Sequence, residues 1–247
     1  MKTFGLIGFP LKQSFSQKYF TQKFQDLHIE AEYENYSIAS IEVLEEILRE
    51  KDSLKGFNVT IPYKKQVLAY LDELDDIAKE VGAVNVVKIS TINGKKHLKG
   101  YNSDIIGFEN SLIKYLKPQH KKALILGTGG ASLAVEYALK RLGIEYRYVS
   151  RSSSSSDILT YEQITPNVIA EYTLIINTTP LGMFPDIESS PNIPYHLLTN
   201  DHLLYDLVYN PEKTKFMQQG ELNGAVAVNG LEMLYGQAEE AWRIWNS

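Results

Sequence analysis

Ala123-Leu124-Ile125-Leu126-Gly127-Thr128-Gly129-Gly130-Ala131-Ser132 runs four apolar residues directly into a glycine cluster. A continuous apolar run of this length, stopped by glycine, reads as a strand buried on both faces, and the pattern beyond it reads as a helix. Glycines at such a joint permit a tight turn and let backbone N–H groups approach a pyrophosphate at the positive end of the helix. The third position of the usual G-x-G-x-x-G spacing is Ser132, so the fingerprint is imperfect. A glycine turn also serves a purely structural strand-to-helix joint.

Short apolar runs recur after it at 146–149, 174–176, 203–207 and 225–228, separated by helix-length segments. Strands so spaced pair in parallel, because parallel neighbours need long crossovers, and a doubly wound sheet is the expected fold. The run at 146–149 ends in Ser150-Arg151-Ser152. An NAD site commonly carries an acidic residue about 20 positions into such a unit, whereas an arginine can grip a 2′-phosphate through two parallel hydrogen bonds. NADP is the expected cofactor, and a solvated loop charge is the alternative for Arg151. The serine run 152–156 reads as a mobile loop.

Upstream, strand patterns at 3–8, 32–38 and 56–59 alternate with helical patterns from about 16 and over 41–49. Pro62 suits the first turn of a further helix. The valine-rich segment 83–89 leads to Asn93-Gly94, a dipeptide that favours a two-residue hairpin, with a return strand to Tyr101. A helical pattern over 104–116 passes through Lys117-Pro118 into the block of buried strands, and a last helix covers about 231–245.

The whole chain has 247 residues, 25 Lys plus Arg against 30 Asp plus Glu, and no cysteine. That length allows one large or two modest domains. Without cysteine there is no disulfide scaffold, thiolate metal site or cysteine nucleophile. A formal charge of −5 without a long basic run disfavours bulk nucleic-acid binding. No apolar stretch approaches the roughly 18 residues of a membrane helix, so a cytoplasmic location is expected. None of the five histidines has metal-ligand spacing, and neither a nucleophile elbow nor a Walker loop is present. No metal is expected.

Polar clusters mark the first region. Asn58-Val59-Thr60-Ile61-Pro62-Tyr63-Lys64-Lys65 ends a strand and would put two lysines into a helix's first turn, where they oppose the dipole. A broken local preference hints at function, although lysine pairs are more often solvated. Asn102-Ser103-Asp104 and Ser14-x-Ser16 each also read as plain helix caps.

The ordered set of these segments resembles the shikimate dehydrogenase family along almost the whole chain. The matching pieces are Gly5-Leu6-Ile7-Gly8 with Pro10 and Ser14-x-Ser16; Asn58 to Lys64; Gly82-Ala83-Val84-Asn85; and Gly100-Tyr101-Asn102-Ser103-Asp104 with Gly107. They continue with Gly127-x-Gly129-Gly130-Ala131, Ser150-Arg151, Asn177-Thr178-Thr179-Pro180-x-Gly182-Met183, Asp206-Leu207-Val208-Tyr209-x-Pro211 and Asn229-Gly230-x-x-Met233-Leu234-x-x-Gln237.

The resemblance implies an α/β substrate-binding domain over 1–103, with helix 231–247 packing back on it, and a Rossmann-like NADP domain over 104–230. It implies reversible, NADPH-dependent reduction of 3-dehydroshikimate to shikimate on the route to chorismate and the aromatic amino acids. By the same resemblance Ser14, Ser16 and Tyr209 hold the substrate carboxylate. Asn58, Thr60, Asn85, Asp104 and Gln237 hold ring hydroxyls, and Lys64 and Asp104 flank the reacting carbon. Gly127, Thr128, Gly129, Gly130 and Ala131 would cradle the pyrophosphate, with Ser150, Arg151 and Ser152 at the 2′-phosphate. Thr178 would meet the cofactor, and Leu207, Gly230 and Met233 the nicotinamide. A monomer or homodimer is expected.

Departures from the family pattern are the serine run after Arg151, where a second basic residue is frequent, Leu133 in place of a frequent arginine, and Ser103 in place of threonine. The first of these weakens the expected preference for NADP. Quinate or quinate/shikimate dehydrogenation is the alternative enzyme reading, and a non-catalytic nucleotide sensor the alternative from another class.

Overall fold

The computed structural model describes residues 1–11, 14–152 and 158–247, so most of the serine run, from Ser153 to Ser156, lies outside the described residues. Met1–Ser103 with Ala238–Ser247 form one compact unit, and Asp104–Gln237 form a second.

The first unit opens with β1 (Lys2–Gly8), α1 (Phe15–Asp26), β2 (Ala31–Ser37), α2 (Val43–Glu50) and β3 (Leu54–Val59). It continues with β4 (Glu73–Leu74), α3 (Asp76–Val81), β5 (Val86–Ile92) and β6 (Lys95–Tyr101). The sheet order is β2-β1-β3-β5-β6-β4. β1 pairs in parallel with both β2 and β3, whereas β5 is antiparallel to β3 and β6. The β5–β6 turn is the expected one, with Asn93 at φ 52° and Gly94 at φ 77°. One face of the sheet packs Ile7, Leu44, Leu54, Phe57, Val67 and Val87 into a core. The other carries Phe4, Phe20, Phe24 and Tyr33 against Ala238, Ala241, Ile244 and Trp245 of the chain's last helix. Gly56 is required there, because a Cβ at that position would collide with the Trp245 indole, whose Nε1 donates to the Val87 carbonyl at 3.0 Å.

The helix expected after Pro62 does not form. Residues 61–65 are turns, followed by a 3-10 segment, Gln66–Tyr70. The Lys64 carbonyl, which an α-helix would offer to Leu68, is taken by the Val84 amide at 2.8 Å, and Leu68 N bonds Lys65 instead. Lys64 and Lys65 therefore do not oppose a helix dipole, and that hint falls away. Burial separates the two instead, since Lys64 is half-buried and Lys65 exposed.

The second unit holds α4 (Ser103–Leu112) from Asp104 onward, β7 (Lys122–Leu126), α5 (Gly130–Arg141), β8 (Glu145–Ser150) and β9 (Ile158–Thr160). Then come α6 (Pro166–Glu171), β10 (Leu174–Asn177), β11 (Leu203–Asp206), α7 (Lys215–Leu222), β12 (Val226–Asn229) and the start of α8 (Leu231–Asn246). All six strands are parallel, in the order β12-β11-β10-β7-β8-β9. Ala123 to Leu126 and Leu174 to Ile176 are fully buried, as strands covered by helices on both faces must be.

Candidate functional site

In this sheet the chain leaves β7 toward β8 on one side and returns to β10 on the other. The crevice outside the carboxyl ends of β7 and β10 is therefore the topological switch point, where open α/β sheets bind ligands. Gly127 leaves β7 at φ +103°, and a Cβ there would stand 2.8 Å from Thr179 Cγ2 and 3.0 Å from Thr178 Oγ1. Glycine thus allows the two loops to touch. Thr178 ties them further, its amide and its Oγ1 both donating to the Leu126 carbonyl at 3.0 and 2.7 Å. Gly129 is the N-cap of α5 with no side-chain cap bond, and a Cβ at Gly129 or Gly130 would meet only open space. Ser132, in place of a third glycine, is buried and turns its hydroxyl back to the Gly129 carbonyl at 2.7 Å. The first turn of α5 thereby keeps its exposed glycine approach.

The cleft at this point has a volume of about 580 Å³ and brings together Gly127, Thr128, Gly129, Ser150, Arg151 and Thr178. Gly130, Ala131, Ser152, Leu207, Gly230 and Met233 lie outside its lining. Also in the lining, and unforeseen from sequence, are Tyr161, Glu162, Thr179, Pro180, Leu181, Ser190 and Asn192. Thr179 and Pro180 belong to the recognised motif Asn177 to Met183, which was the available signal. Tyr161 and Glu162 follow the three-residue β9, too short to read by periodicity. Burial pushes the Tyr161 phenol up, and the Arg151 charge acts against that rise.

Behind the cleft, Asp206 at the end of β11 is fully buried. Its Oδ1 accepts from Asn177 Nδ2 at 2.9 Å and from Val208 N at 3.0 Å, and its Oδ2 accepts from Thr214 Oγ1 at 2.5 Å. Desolvation raises its carboxyl to about 6 against the lowering effect of these three donors. Asn177 in turn accepts the Thr179 amide and hydroxyl at 3.0 and 2.6 Å. The carboxylate thus holds the turn that walls the cleft.

Elsewhere in the second unit, Gly230 packs on the Leu207 carbonyl so closely that a Cβ would collide with it. Gly107 and Gly236 bring α4 and α8 together, a Cβ at Gly236 standing 3.1 Å from Gly107 Cα. Asp104, half-buried, lies one turn before Gly107, and Met233 and Gln237 flank Gly236 on α8. Tyr209 is 40% exposed.

In the first unit, Ser14 is the N-cap of α1, accepting from Gln17 N at 3.0 Å and donating to Asn35 Oδ1 at 2.8 Å. Ser16 follows in the first turn and hydrogen-bonds Tyr33. Asn58 and Asn85 are buried, and Asn58 Nδ2 donates to the Asn85 carbonyl at 3.3 Å. Asn85 receives Ser103 N on Oδ1 at 2.7 Å and donates to Ser103 Oγ at 3.0 Å. Thr60 leaves β3 with its amide on the Ile7 carbonyl at 2.9 Å. Tyr33 and Asn35, two apart on β2 and so on one face, carry no signal in the sequence. Among the described residues no group of three or more His, Asp or Glu is placed to hold a metal ion, and no helix is long and apolar enough to cross a membrane.

Residues 6–87 match the shikimate dehydrogenase substrate binding domain family. The chain is 36% identical to the NADP⁺ shikimate dehydrogenase of Caldanaerobacter subterraneus subsp. tengcongensis, over 99% of this chain and 91% of that relative. It also matches the shikimate 5-dehydrogenase of Thermus thermophilus, solved with NADP(H) and shikimate, at TM-score 0.84 and 30% identity, covering 99% and 93% of the two chains. Quinate dehydrogenase from Corynebacterium glutamicum, solved with NAD, matches at TM-score 0.86 and 26% identity, covering 99% and 93%. Likeness at this identity over nearly the full length places the chain in the shikimate dehydrogenase family.

Proposed function

We propose that the chain is an NADP-dependent shikimate dehydrogenase, which interconverts shikimate and 3-dehydroshikimate in chorismate and aromatic amino-acid biosynthesis. The observation that carries this is the switch-point cleft with Arg151 at the end of β8, in a chain 36% identical to an NADP⁺ enzyme of that name. The cleft suits a dinucleotide with a 2′-phosphate. Gly129 and Gly130 leave room for a pyrophosphate against the first turn of α5, and Arg151 offers a guanidinium where an acidic residue would repel the phosphate. When bound, NADPH supplies the hydride.

This chain's residues supply the rest. In our reading Ser14, Ser16 and Tyr209 bind the substrate carboxylate, while Asn58, Thr60, Asn85, Asp104 and Gln237 hold the ring hydroxyls. The Lys64 ammonium stands at the oxygen that gains negative charge as the ketone is reduced, and stabilises it or gives it a proton. Asp104 orients that ammonium and the substrate hydroxyl. Gly130, Ala131 and Ser152 extend the phosphate site, and Leu207, Gly230 and Met233 form the nicotinamide end. The reading carries a cytoplasmic location, beside a soluble nicotinamide pool, and a monomer or homodimer.

The test is nicotinamide absorbance with shikimate or quinate and NADP or NAD, in all four combinations. Turnover greatest with shikimate and NADP is expected. Greater turnover with quinate or with NAD would overturn the assignment in that respect, and no turnover in any combination would leave a nucleotide-binding protein without the activity.

A further inference from the structure

Between the two arms that carry Ser16 and Asn58 lies a tyrosine to which no role has been given. Tyr33, on β2, is 4% exposed, with its ring stacked on Phe20 at a centroid distance of 5.0 Å. Its hydroxyl donates to Asn58 Oδ1 at 2.7 Å and hydrogen-bonds the Ser16 side chain. A phenol has a single proton. Because Asn58 Oδ1 can only accept, Tyr33 spends that proton there and receives Ser16's on its oxygen. The carboxamide of Asn58 is thereby fixed in one sense, with Oδ1 toward Tyr33 and Nδ2 toward the Asn85 carbonyl at 3.3 Å. The remaining Nδ2 proton is the donor that the proposed function assigns to a substrate hydroxyl. Burial pushes the Tyr33 phenol well above the usual tyrosine range, so it remains a donor at any working pH.

We infer that Tyr33 is a positioning residue for the substrate, holding the Asn58 carboxamide in the orientation that presents its remaining Nδ2 proton to a ring hydroxyl of a small polyhydroxy acid. The inference rests on the proposed function and adds to it a residue that itself touches neither substrate nor cofactor. A purely apolar role for the ring is the competing account, since Phe20 stacks on it, and the two accounts differ only in what the hydroxyl does.

The experiment compares Tyr33→Phe with wild type in shikimate oxidation by NADP, with far-UV circular dichroism and melting as checks on folding. Losing one buried hydrogen bond that orients a ligand donor should raise the shikimate KM about 5–10-fold. The NADP KM should stay within about twofold, because Tyr33 belongs to the other unit from the cleft. Tyr205→Phe is the matched control, removing a buried phenol that bonds Ser111 at 2.8 Å in the second unit. It should leave the shikimate KM unchanged. Replacing Tyr33 by p-aminophenylalanine, which keeps a donor toward Asn58 Oδ1, should restore KM to within about twofold of wild type. That variant also decides the matter if Tyr33→Phe fails to fold. An unaltered shikimate KM in Tyr33→Phe, an equal rise in Tyr205→Phe, or a folded p-aminophenylalanine protein with KM still about tenfold raised would each overturn the inference. Absence of shikimate turnover by wild type itself would overturn the proposed function first.

Discussion

Replacing Asp206 with asparagine should flatten part of the protein's pH–stability curve. Folding moves this carboxyl from its ordinary value of 3.8 to about 6, because it is fully buried and three neutral donors do not compensate for lost water. A carboxyl whose pKa rises on folding binds its proton more tightly in the native state. Its contribution is therefore full below pH 3.8, where both states are protonated, and is lost as pH rises through about 6. At about 1.4 kcal/mol per pKa unit the whole effect is about 3 kcal/mol, and about 1.4 kcal/mol of it falls between pH 5 and 8. In Asp206→Asn the new carboxamide oxygen would still accept from Asn177 and Val208. Its NH₂ would face Thr214 Oγ1, which must turn to accept, and that offset does not vary with pH. The assay is thermal melting of wild type and Asp206→Asn across pH 5–8. Relative to the variant, wild type should lose about 3–6 °C toward pH 8, for a chain of this size. Parallel curves would show that Asp206 does not titrate in this window, and that its three donors hold it ionised.

Arg151→Ala should raise the NADP KM about 10–100-fold while changing the NAD KM less than about twofold, the loss expected for charged hydrogen bonds to a phosphate; equal losses for both cofactors would remove Arg151 from the phosphate site. Lys64→Ala should lower kcat by at least about 10²-fold with a much smaller change in shikimate affinity, as read from steady-state kinetics beside direct titration. Near-normal kcat with weakened binding would make Lys64 a substrate anchor. Gly127→Ala puts a side chain at φ +103° and 2.8 Å from Thr179 Cγ2, strain of about 1–3 kcal/mol. It should lower the melting temperature and raise the NADP KM about tenfold, and unchanged NADP kinetics would show that the loop tolerates the shift.

The parts of the fold legible in the sequence are those in which a local signal has a local cause. β7 and its glycine turn, and the Asn93-Gly94 hairpin with both residues at positive φ, depend on residues within a few positions of one another. The segment after Pro62 departs from its local pattern because its conformation is decided 20 residues away, where the Val84 amide claims the Lys64 carbonyl. Helix propensity and a proline at a first turn carry no information about that competitor. β4 and β9 are two and three residues long, below the span over which a period of two can be recognised.

The same distinction runs through the site. Gly127, Gly129 and Arg151 announce themselves by residue type and by their distance from a strand end, and the cleft gathers all three. Tyr33 reads in the sequence as one more core aromatic, and Asp206 as an unexplained member of a motif, because their chemistry comes from burial and from partners that include distant ones, Ser16 and Asn58 for Tyr33 and Asn177, beside Val208 and Thr214, for Asp206. Both are polar groups taken wholly out of water. A buried polar network of this kind adds little net stability even when satisfied, and apolar residues of similar shape in place of all its members can do as well. What it does supply is direction, since a phenol with one proton, or a carboxylate with two oxygens, accepts only certain orientations of its neighbours. Tyr33 sets Asn58, and Asp206 sets Asn177 and through it Thr179. The orientation of Asn58 and Asn177 is the reason we give for the polar residues at these two places.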